Sequence, residues 1–305
     1  MSIDFTNRVA VVTGAGGGLG RSHALMLAAR GARVVVNDVG GAVGGAGADA
    51  APADRVVAEI RAAGGEAVAN YDSVADEDGA RRIIGTALDT FGSVDILINN
   101  AGILRDRSFK KMDLADFRAV LEVHLLGTAY CTRAAWPVMT DAKYGRIVVT
   151  TSIAGTSGNF GQAAYGTAKL GIVGLMNTLA IEGERSNVLI NAISPGAATR
   201  MTEGLNPPAV DRYLHAGLVS PGVAYLASEE CRVTGQILQS MAAGYSRLHM
   251  FETDGVQFDP VEPLTPELIA DHYEEISDLK TATPTTPGTA GRIEQRLRSI
   301  GRWEE

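Results

Sequence analysis

Three side chains that together could move a proton lie close in the sequence, Ser152, Tyr165 and Lys169. Tyr165 and Lys169 are four residues apart, a spacing that places both side chains on one face of a helix. A free phenol has a pKa of about 10, and a neighbouring ammonium favours the phenolate and lowers that pKa. We therefore predict that Tyr165 exchanges a proton with an alcohol or carbonyl oxygen held by Ser152.

The segments around these residues predict how they are positioned. Residues 147–151 have a buried-strand pattern and deliver Ser152 at the carboxyl end of the strand. A glycine-rich loop follows, and then a helical pattern that carries Tyr165 and Lys169. Open α/β sheets bind ligands at this edge. A Tyr-x-x-x-Lys pair alone is a weak signal and more often an exposed surface pair, so the catalytic interpretation depends on a nucleotide site elsewhere in the chain.

Such a site is predicted near the N-terminus. The short apolar strand Val9–Thr13 leads into the turn Gly14–Gly20, which includes Gly18 and Leu19, and then into a helix over 21–30. Glycines allow the backbone to approach a pyrophosphate, and a helix N-terminus supplies N–H donors to it. The alternative is a merely flexible turn, but the strand–turn–helix context favours a dinucleotide site.

The second predicted strand, residues 33–38, ends in Asp38, which lies 18 residues after Gly20. A carboxylate at this distance suits the adenosine ribose 2′-hydroxyl and repels a 2′-phosphate, so we predict NAD rather than NADP. The alternative is that Asp38 only caps a turn. Asp72, after the third strand, is placed to cap a helix or to approach an adenine.

Strand and helix patterns alternate along the rest of the chain, which predicts a doubly wound parallel sheet of the Rossmann type flanked by helices. Strands are predicted at 66–70, 95–99, 188–193 and 236–242, and helices at 52–63, 76–91 and 113–139. We assign residues 1–250 to this nucleotide-binding domain. The polar segment Ala197–Val219 is predicted to form a loop or lid over the site.

Residues 251–305 are predicted to form a C-terminal helical extension. Thr265 and Pro266 suit the start of a helix whose apolar face carries Ile269, Tyr273 and Ile276. After a linker at 281–291, a final amphipathic helix carries three apolar residues, Ile293, Leu297 and Ile300. Such helices need a surface to pack on, either this chain's own sheet or a partner subunit, and we expect a homodimer or dimer-based oligomer.

Composition excludes several classes of protein. The chain has 305 residues, is 46% hydrophobic and carries a net charge of −8, which argues against a nucleic-acid-binding surface. No run of 18 apolar residues or secretory signal segment is seen, so we expect no membrane span and a cytoplasmic location. Two distant cysteines, Cys131 and Cys231, lack metal-ligand spacing, and we expect no metal.

Five motifs together resemble the short-chain dehydrogenase/reductase family over about residues 5–245. They are Thr13-Gly14-x-x-x-Gly18-x-Gly20, Asn99-Asn100-Ala101-Gly102, Ser152 placed 13 residues before Tyr165, Tyr165-x-x-x-Lys169 and Pro195-Gly196. The resemblance implies that Tyr165 is the acid/base, that Lys169 binds the nicotinamide ribose and that Ser152 holds the substrate oxygen. It also implies a cofactor-binding set of Gly14, Gly18, Leu19, Gly20, Asp38, Asp72, Asn100, Ala101, Gly102, Pro195, Gly196 and Thr199.

Further stretches, such as residues 36–41 and 100–109, are similar to the (3R)-hydroxyacyl-CoA dehydrogenase units of multifunctional enzymes type 2. The resemblance implies NAD-dependent oxidation of a 3-hydroxyacyl-CoA. A hydroxysteroid dehydrogenase, a general carbonyl reductase and a non-catalytic NAD-binding protein are the alternatives.

His124 stands where the family often has an asparagine that supports a proton relay, and both a relay role and a packing role stay open. A basic cluster could attract the CoA phosphates or form a solvated surface: Arg105, Arg107, Lys110 and Lys111.

Overall fold

The computed structural model describes residues 2–198, 212–285 and 292–301. The chain divides into two compact units, residues 1–247 and residues 248–305. The first unit holds the strand–helix alternation that the sequence predicts, and the second holds short helices and strands.

The first unit is built on an eight-stranded sheet in the order β3-β2-β1-β4-β5-β6-β7-β8. Its strands are β1 (Val9–Thr13), β2 (Arg33–Asn37), β3 (Glu66–Asn70), β4 (Ile96–Asn99), β5 (Gly145–Thr150), β6 (Val188–Gly196), β7 (Ile237–Met241) and β8 (Gly244–Leu248). The pairs from β3 to β7 are parallel. The central strands β1, β4 and β5 are buried throughout, as expected for a sheet covered on both faces. The prediction of a doubly wound sheet is confirmed.

Helices connect the strands and cover both faces of the sheet. They are α1 (Gly18–Ala28), α2 (Ala51–Ala62), α3 (Glu77–Phe91), α4 (Leu114–Leu121), α5 (Gly127–Asp141), α6 (Ile153–Thr156), α7 (Ala163–Gly183) and α8 (Ser220–Leu226). Short 3-10 turns occur at Phe109–Lys111, Glu184–Ser186 and Ala216–Leu218. The long helix predicted over 113–139 is interrupted between α4 and α5 by a π-helical turn, Glu122–Leu126.

The edge of the sheet beyond β7 differs from the sequence-based prediction, which ended there. Ala242 and Ala243 both adopt positive φ angles, 49° and 64°, and form a two-residue turn. Turns of this kind join antiparallel strands into a hairpin, and β8 follows directly as the edge strand. Alanine is an unusual residue at positive φ, so the sequence gives little sign of this hairpin.

The second unit is made of short elements. They are the two-stranded sheet of β9 (Phe251–Glu252) and β10 (Thr283–Pro284), the helices α9 (Pro266–Asp271), α10 (Tyr273–Ile276) and α11 (Arg292–Ser299), and a 3-10 turn at Leu279–Thr281. Thr265 caps α9 as predicted, since its side chain accepts a hydrogen bond from the Leu268 amide. The single helix predicted over 265–276 is wrong. The chain breaks at His272, and the Tyr273 side chain is exposed.

Candidate active site

The strand order reverses direction between β1 and β4, and a cavity of about 250 Å³ opens at this point. Crevices at such switch points are where open α/β sheets bind ligands. The lining comes from the ends of several strands and the turns that follow them. It includes Gly14, Gly17, Gly18, Leu19, Asp38, Asp72, Asn100, Ala101, Gly102, His124, Thr150, Tyr165, Lys169 and Pro195.

The glycine-rich turn between β1 and α1 is folded tightly against the neighbouring strand end. Gly14 has a φ of +62°, and a Cβ atom there would lie 2.8 Å from the Cα of Ala101. A Cβ on Gly17, by contrast, would meet no atom within 4 Å, so this part of the turn faces open space. Gly20 does not line the cavity; a Cβ there would lie 2.1 Å from the Gly14 carbonyl oxygen. Because Gly20 has no side chain, α1 packs closely on the glycine-rich turn. Its role is therefore this packing rather than close approach of a ligand.

Thr13 and Asn100 tie the ends of β1 and β4 together. The Thr13 hydroxyl accepts hydrogen bonds from the amides of Asn100 and Ala101 at 3.0 and 3.1 Å. The Asn100 side-chain amide donates to the carbonyl oxygens of Thr13 and Gly14, both at 3.0 Å. Four hydrogen bonds therefore fix the floor of the cavity. Thr13 was not predicted to be a site residue, although it is the first residue of the Thr13-Gly14-x-x-x-Gly18-x-Gly20 motif.

Asp38 and Asp72 line the cavity just after β2 and β3, whereas Tyr165 lines it from α7. Asp38 accepts hydrogen bonds from the amides of Gly16 and Gly40, both at 2.7 Å. Its carboxylate thus braces the glycine-rich turn as well as lining the cavity. Asp72 accepts from Asn70 Nδ2 at 2.9 Å and from Arg82 Nε at 2.6 Å, so its carboxylate is also held in place.

Ser152, Tyr165 and Lys169 lie together, as their spacing predicts: Tyr165 and Lys169 line the cavity, and the Ser152 side chain lies against Tyr165 without being part of the lining. Ser152 follows β5 and caps the short helix α6 by accepting a hydrogen bond from the Ala154 amide at 3.2 Å. The Lys169 ammonium lies 5.4 Å from the centre of the Tyr165 ring. Lys169 is buried, and its Nζ donates to the Thr150 carbonyl oxygen at 2.6 Å. The arrangement places a phenol and an amine in the cavity wall and a hydroxyl beside the phenol.

The protonation of this group is controlled by burial. Burial lowers the pKa of Lys169 to about 7. Burial also raises the pKa of the Tyr165 phenol, while the hydrogen bond from Ser152 lowers it and Asp106 raises it. Burial is the largest cause of the raised pKa of Tyr165. The lowering of that pKa by Lys169 stays a prediction.

His124 sits in the π-helical turn beneath the strand end that carries Gly102. Its Nε2 lies 2.7 Å from the carbonyl oxygen and 3.0 Å from the amide nitrogen of Ile103. Its ring packs edge-on against Tyr165, with the centroids 5.1 Å apart. Burial, with a contribution from Lys169, lowers the pKa of His124 to about 3, so the imidazole is neutral. Its Nδ1 is buried without a hydrogen-bond partner among the described residues. π-turns of this kind occur frequently at functional sites.

The remaining residues of the predicted set fall in different places. Gly196 packs beneath Met241, with a Cβ position only 2.8 Å from the Met241 Cε, and is not part of the lining. Thr199 and most of the predicted lid at 197–219 lie outside the described residues. The Gly/Ala-rich stretch at 40–54 was predicted to form a mobile loop, but not to contribute to the site. Its residues Gly41, Ala42, Val43 and Gly45 line the cavity, together with Val39.

A metal site and a membrane-spanning helix are both absent from the part of the chain that the structure describes. No group of His, Cys, Asp or Glu side chains there could hold a metal ion. No helix there is long and apolar enough to cross a membrane. Both cysteines are buried free thiols, and burial raises the pKa of Cys131 to about 12, so this thiol is unreactive.

The sequence profile of the short chain dehydrogenase family matches residues 8–209, which include the whole of the cavity floor and the Ser152–Lys169 segment. The chain belongs to the short chain dehydrogenase family. A short-chain type dehydrogenase/reductase of Mycobacterium tuberculosis is 54% identical over 276 residues, which are 90% of this dehydrogenase and 96% of that protein. The family resemblance predicted from the five motifs is confirmed.

Longer proteins also match this dehydrogenase. The peroxisomal multifunctional enzyme type 2 of Drosophila melanogaster is 51% identical over 280 residues, covering 91% of this chain and 46% of that enzyme. Its full-length solved structure gives a TM-score of 0.82 at 42% identity, covering 98% of this chain and 50% of the other. The dehydrogenase therefore spans about half the length of this relative.

A solved structure of a 7 alpha-hydroxysteroid dehydrogenase is also similar. That structure is a complex with NADH and 7-oxo glycochenodeoxycholic acid. It gives a TM-score of 0.71 at 28% identity and covers 79% of this chain and 95% of the other. Similar catalytic domains thus occur in proteins with different names and substrates, so the substrate has to be argued from more than the fold.

Proposed function

We propose that this dehydrogenase uses NAD to interconvert the C3 alcohol of a 3-hydroxyacyl-CoA and the ketone of a 3-oxoacyl-CoA. The observation that carries the proposal is the 51% identity to a peroxisomal multifunctional enzyme over 91% of the chain. A second multifunctional relative, a hydratase-dehydrogenase-epimerase of Saccharomyces cerevisiae, is 49% identical over 92% of the chain. The agreement extends well beyond the catalytic motifs, which supports a shared substrate class.

The cavity suits a dinucleotide at both of its ends. The open space over Gly17 and the glycine backbone around it can accept a pyrophosphate. Asp38 is placed for the ribose 2′-hydroxyl, and the same carboxylate would repel a 2′-phosphate. When bound, NAD supplies the hydride acceptor. The related hydroxysteroid dehydrogenase was solved with NADH, which supports the same choice here.

The chain's own residues carry out the transfer of the substrate's hydroxyl proton. In the oxidation direction, the Tyr165 oxygen takes the proton of the substrate hydroxyl while Ser152 fixes the position of the substrate oxygen. Lys169, with a pKa of about 7, gains and loses a proton near neutrality and suits exchange of that proton with solvent. The family resemblance implies that Lys169 also binds the nicotinamide ribose. His124 is neutral, and we assign it a positioning role through Ile103 and the Tyr165 ring.

Cofactor choice is tested through Asp38. Asp38→Ala should raise the KM for NAD about tenfold, the loss expected for a hydrogen bond to a charged group, and should relax discrimination against NADP. Steady-state kinetics with both cofactors measure this change. Preference of the wild-type protein for NADP would contradict the assignment.

Substrate class is tested by following NADH formation with a panel of 3-hydroxyacyl-CoAs and hydroxysteroids. We expect turnover of the acyl-CoAs. Activity on the hydroxysteroids alone would favour the second candidate function, a hydroxysteroid dehydrogenase, which the similarity to the 7 alpha-hydroxysteroid dehydrogenase supports.

Arg107, Lys110 and Lys111 are exposed, and we propose that they attract the CoA phosphates. Lys110→Ala should then raise the KM for acyl-CoA and leave that for a small CoA-free alcohol unchanged.

Three further assignments complete the proposal. We propose that residues 1–250 form the catalytic domain and residues 251–305 an extension, and that the protein works as a homodimer or dimer-based oligomer. We propose the cytoplasm as its location, whereas the multifunctional relatives are named peroxisomal. A fluorescent fusion distinguishes the two locations.

A further inference from the structure

A loop rich in small residues covers part of the dinucleotide cavity. It runs from Val39 to Asp49, and we call it the glycine loop. Its two ends are joined by a hydrogen bond from the Asp49 amide to the Val39 carbonyl oxygen at 2.9 Å. The middle of the loop reaches the cavity through Gly41, Ala42, Val43 and Gly45. Because glycine and alanine offer few side-chain contacts, this loop needs bonds from outside to hold one conformation.

Those bonds come from the turn that follows β4. The Leu104 amide donates to the Val43 carbonyl oxygen at 3.0 Å. Arg105 Nε donates to the Gly44 carbonyl oxygen at 2.9 Å. Gly45 lies against Ile103 so closely that a Cβ there would be 3.1 Å from its Cγ2. The loop is therefore attached at three consecutive positions to the segment that forms the cavity floor.

Arg105 extends this attachment to a helix. Its Nη1 donates to Asp116 Oδ1 at 2.9 Å, and Asp116 lies in the first turn of α4. Both side chains are about one-third exposed, so the pair is only partly screened by solvent. One guanidinium thus bonds the glycine loop through Nε and α4 through Nη1. Lysine, whose donors radiate from a single nitrogen, does not reproduce this two-sided geometry.

We propose that Arg105 is a positioning residue that latches the glycine loop over the bound dinucleotide and so sets the rate at which the cofactor leaves. The inference rests on the proposed dinucleotide function of the cavity. It gives Arg105 a task apart from the other basic residues of its cluster, since its donors are directed at the loop and at Asp116. Release of the cofactor then requires the Arg105–Gly44 bond to break.

The test compares Arg105→Met with the wild-type protein by stopped-flow displacement of NADH fluorescence with excess NAD. Met keeps the length of the apolar stem but donates no hydrogen bond. We expect the dissociation rate of NADH to rise about tenfold. Arg105→Lys should recover part of the change, and Asp116→Asn should give a smaller increase in the same direction. Arg118→Met, an exposed arginine on the same helix as Asp116, should leave the rate unchanged.

A second measurement follows the loop without any cofactor. Elastase cleaves beside small side chains, which are abundant in the glycine loop. Arg105→Met should be cut within residues 40–49 faster than the wild-type protein, and NADH should slow the cleavage. Equal dissociation rates and equal cleavage in the two proteins would overturn the latch while leaving the proposed function intact. Failure of the wild-type protein to bind NADH would overturn both.

Discussion

Lys169 carries a large electrostatic cost at the site. It is buried, and its pKa falls from 10.5 to about 7 because burial penalises the ammonium. The only hydrogen bond described for Nζ is to the Thr150 carbonyl oxygen, which does not neutralise a charge. Catalytic positions commonly combine burial with a perturbed pKa near the working pH. The placement of Lys169 therefore favours function at the expense of stability.

This cost predicts a particular pH dependence of stability. The folded pKa is depressed, so between pH 7 and pH 10.5 the unfolded chain binds a proton at Lys169 that the folded chain does not. Stability therefore rises with pH across that window, by roughly 5 kcal/mol in total. Lys169→Met has no ionisable group at this position and therefore lacks this pH-dependent contribution to stability. Urea unfolding of both cofactor-free proteins at several pH values should show the wild-type protein gaining stability relative to the variant as pH rises; parallel curves would contradict the assignment.

The Tyr165 phenol gives the sharpest test of the proton-transfer step. Tyr165→Phe removes one oxygen and leaves the ring that packs against His124. We expect kcat to fall at least about 100-fold, because positioned acid/base groups contribute about 10²–10⁴ in rate, while NADH binding is retained. Tyr130→Phe, a phenol that is not part of the cavity lining, serves as the matched control. Near wild-type turnover in Tyr165→Phe would rule out the acid/base role.

At the scale of elements, the site depends on strand ends that approach each other very closely. The turn after β4 rests on the π-helical turn between α4 and α5, and the point of contact is Gly102 against His124. A Cβ on Gly102 would lie 2.2 Å from the His124 Cε1. The absence of a side chain here lets the imidazole reach the Ile103 backbone. The glycine of the Asn-Asn-Ala-Gly motif is thus explained by packing.

Gly102→Ala should therefore destabilise the fold by about 2 kcal/mol, within the usual cost of overpacking. The imidazole is the obstacle, so the same substitution should cost clearly less in a His124→Ala background. Gly174→Ala is the control, since a Cβ at that position on α7 meets no atom within 4 Å; it should be neutral or stabilising by up to about 1 kcal/mol. Urea unfolding of the wild-type protein, Gly102→Ala, His124→Ala and the double variant measures the coupling between the two positions. Strict additivity of the two changes in unfolding free energy would exclude the clash.

Elements with strong local signals could be predicted from the sequence. Strand β3 is found at the predicted residues, 66–70, and α3 begins directly after its cap Asp76, which accepts a hydrogen bond from the Gly79 amide. The π-helical turn could not be predicted, because its apolar periodicity does not differ from that of an α-helix. The hairpin at Ala242 and Ala243 was missed because neither residue is typical of such turns.

The candidate site, too, could be predicted only where the sequence carries a strong local signal. Motif spacing predicted which residues would meet, and Ser152, Tyr165 and Lys169 do lie together. The sequence could not reveal how deeply each would be buried, and burial determines the pKa values of Tyr165 and Lys169. The contribution of the glycine loop to the cavity was not predicted, for a related reason. Its small residues carry no pattern of their own, and its position is fixed by Arg105 from another part of the chain.

At the scale of the whole molecule, apolar side chains are exposed in both units. In the second unit, Leu279 is 80% exposed and Ile293 is 74% exposed. In the first unit, Leu114, Leu126, Leu170 and Ile181 are exposed on α4, the π-helical turn and α7. Exposed apolar groups of this number commonly mark protein–protein contacts. Both surfaces are therefore candidates for the boundary between subunits.

We predict that the protein is a homo-oligomer built on a dimer, with the C-terminal extension near the boundary. Light scattering at micromolar concentration should give at least twice the chain mass of 31.9 kDa. Ile293→Lys should shift the distribution towards the monomer, because burying an unpaired ammonium in an apolar contact is costly. Leu170→Lys is the matched variant on α7. A shift with Leu170→Lys alone would place the boundary on α7, and a monomeric wild-type protein would contradict assembly through either surface.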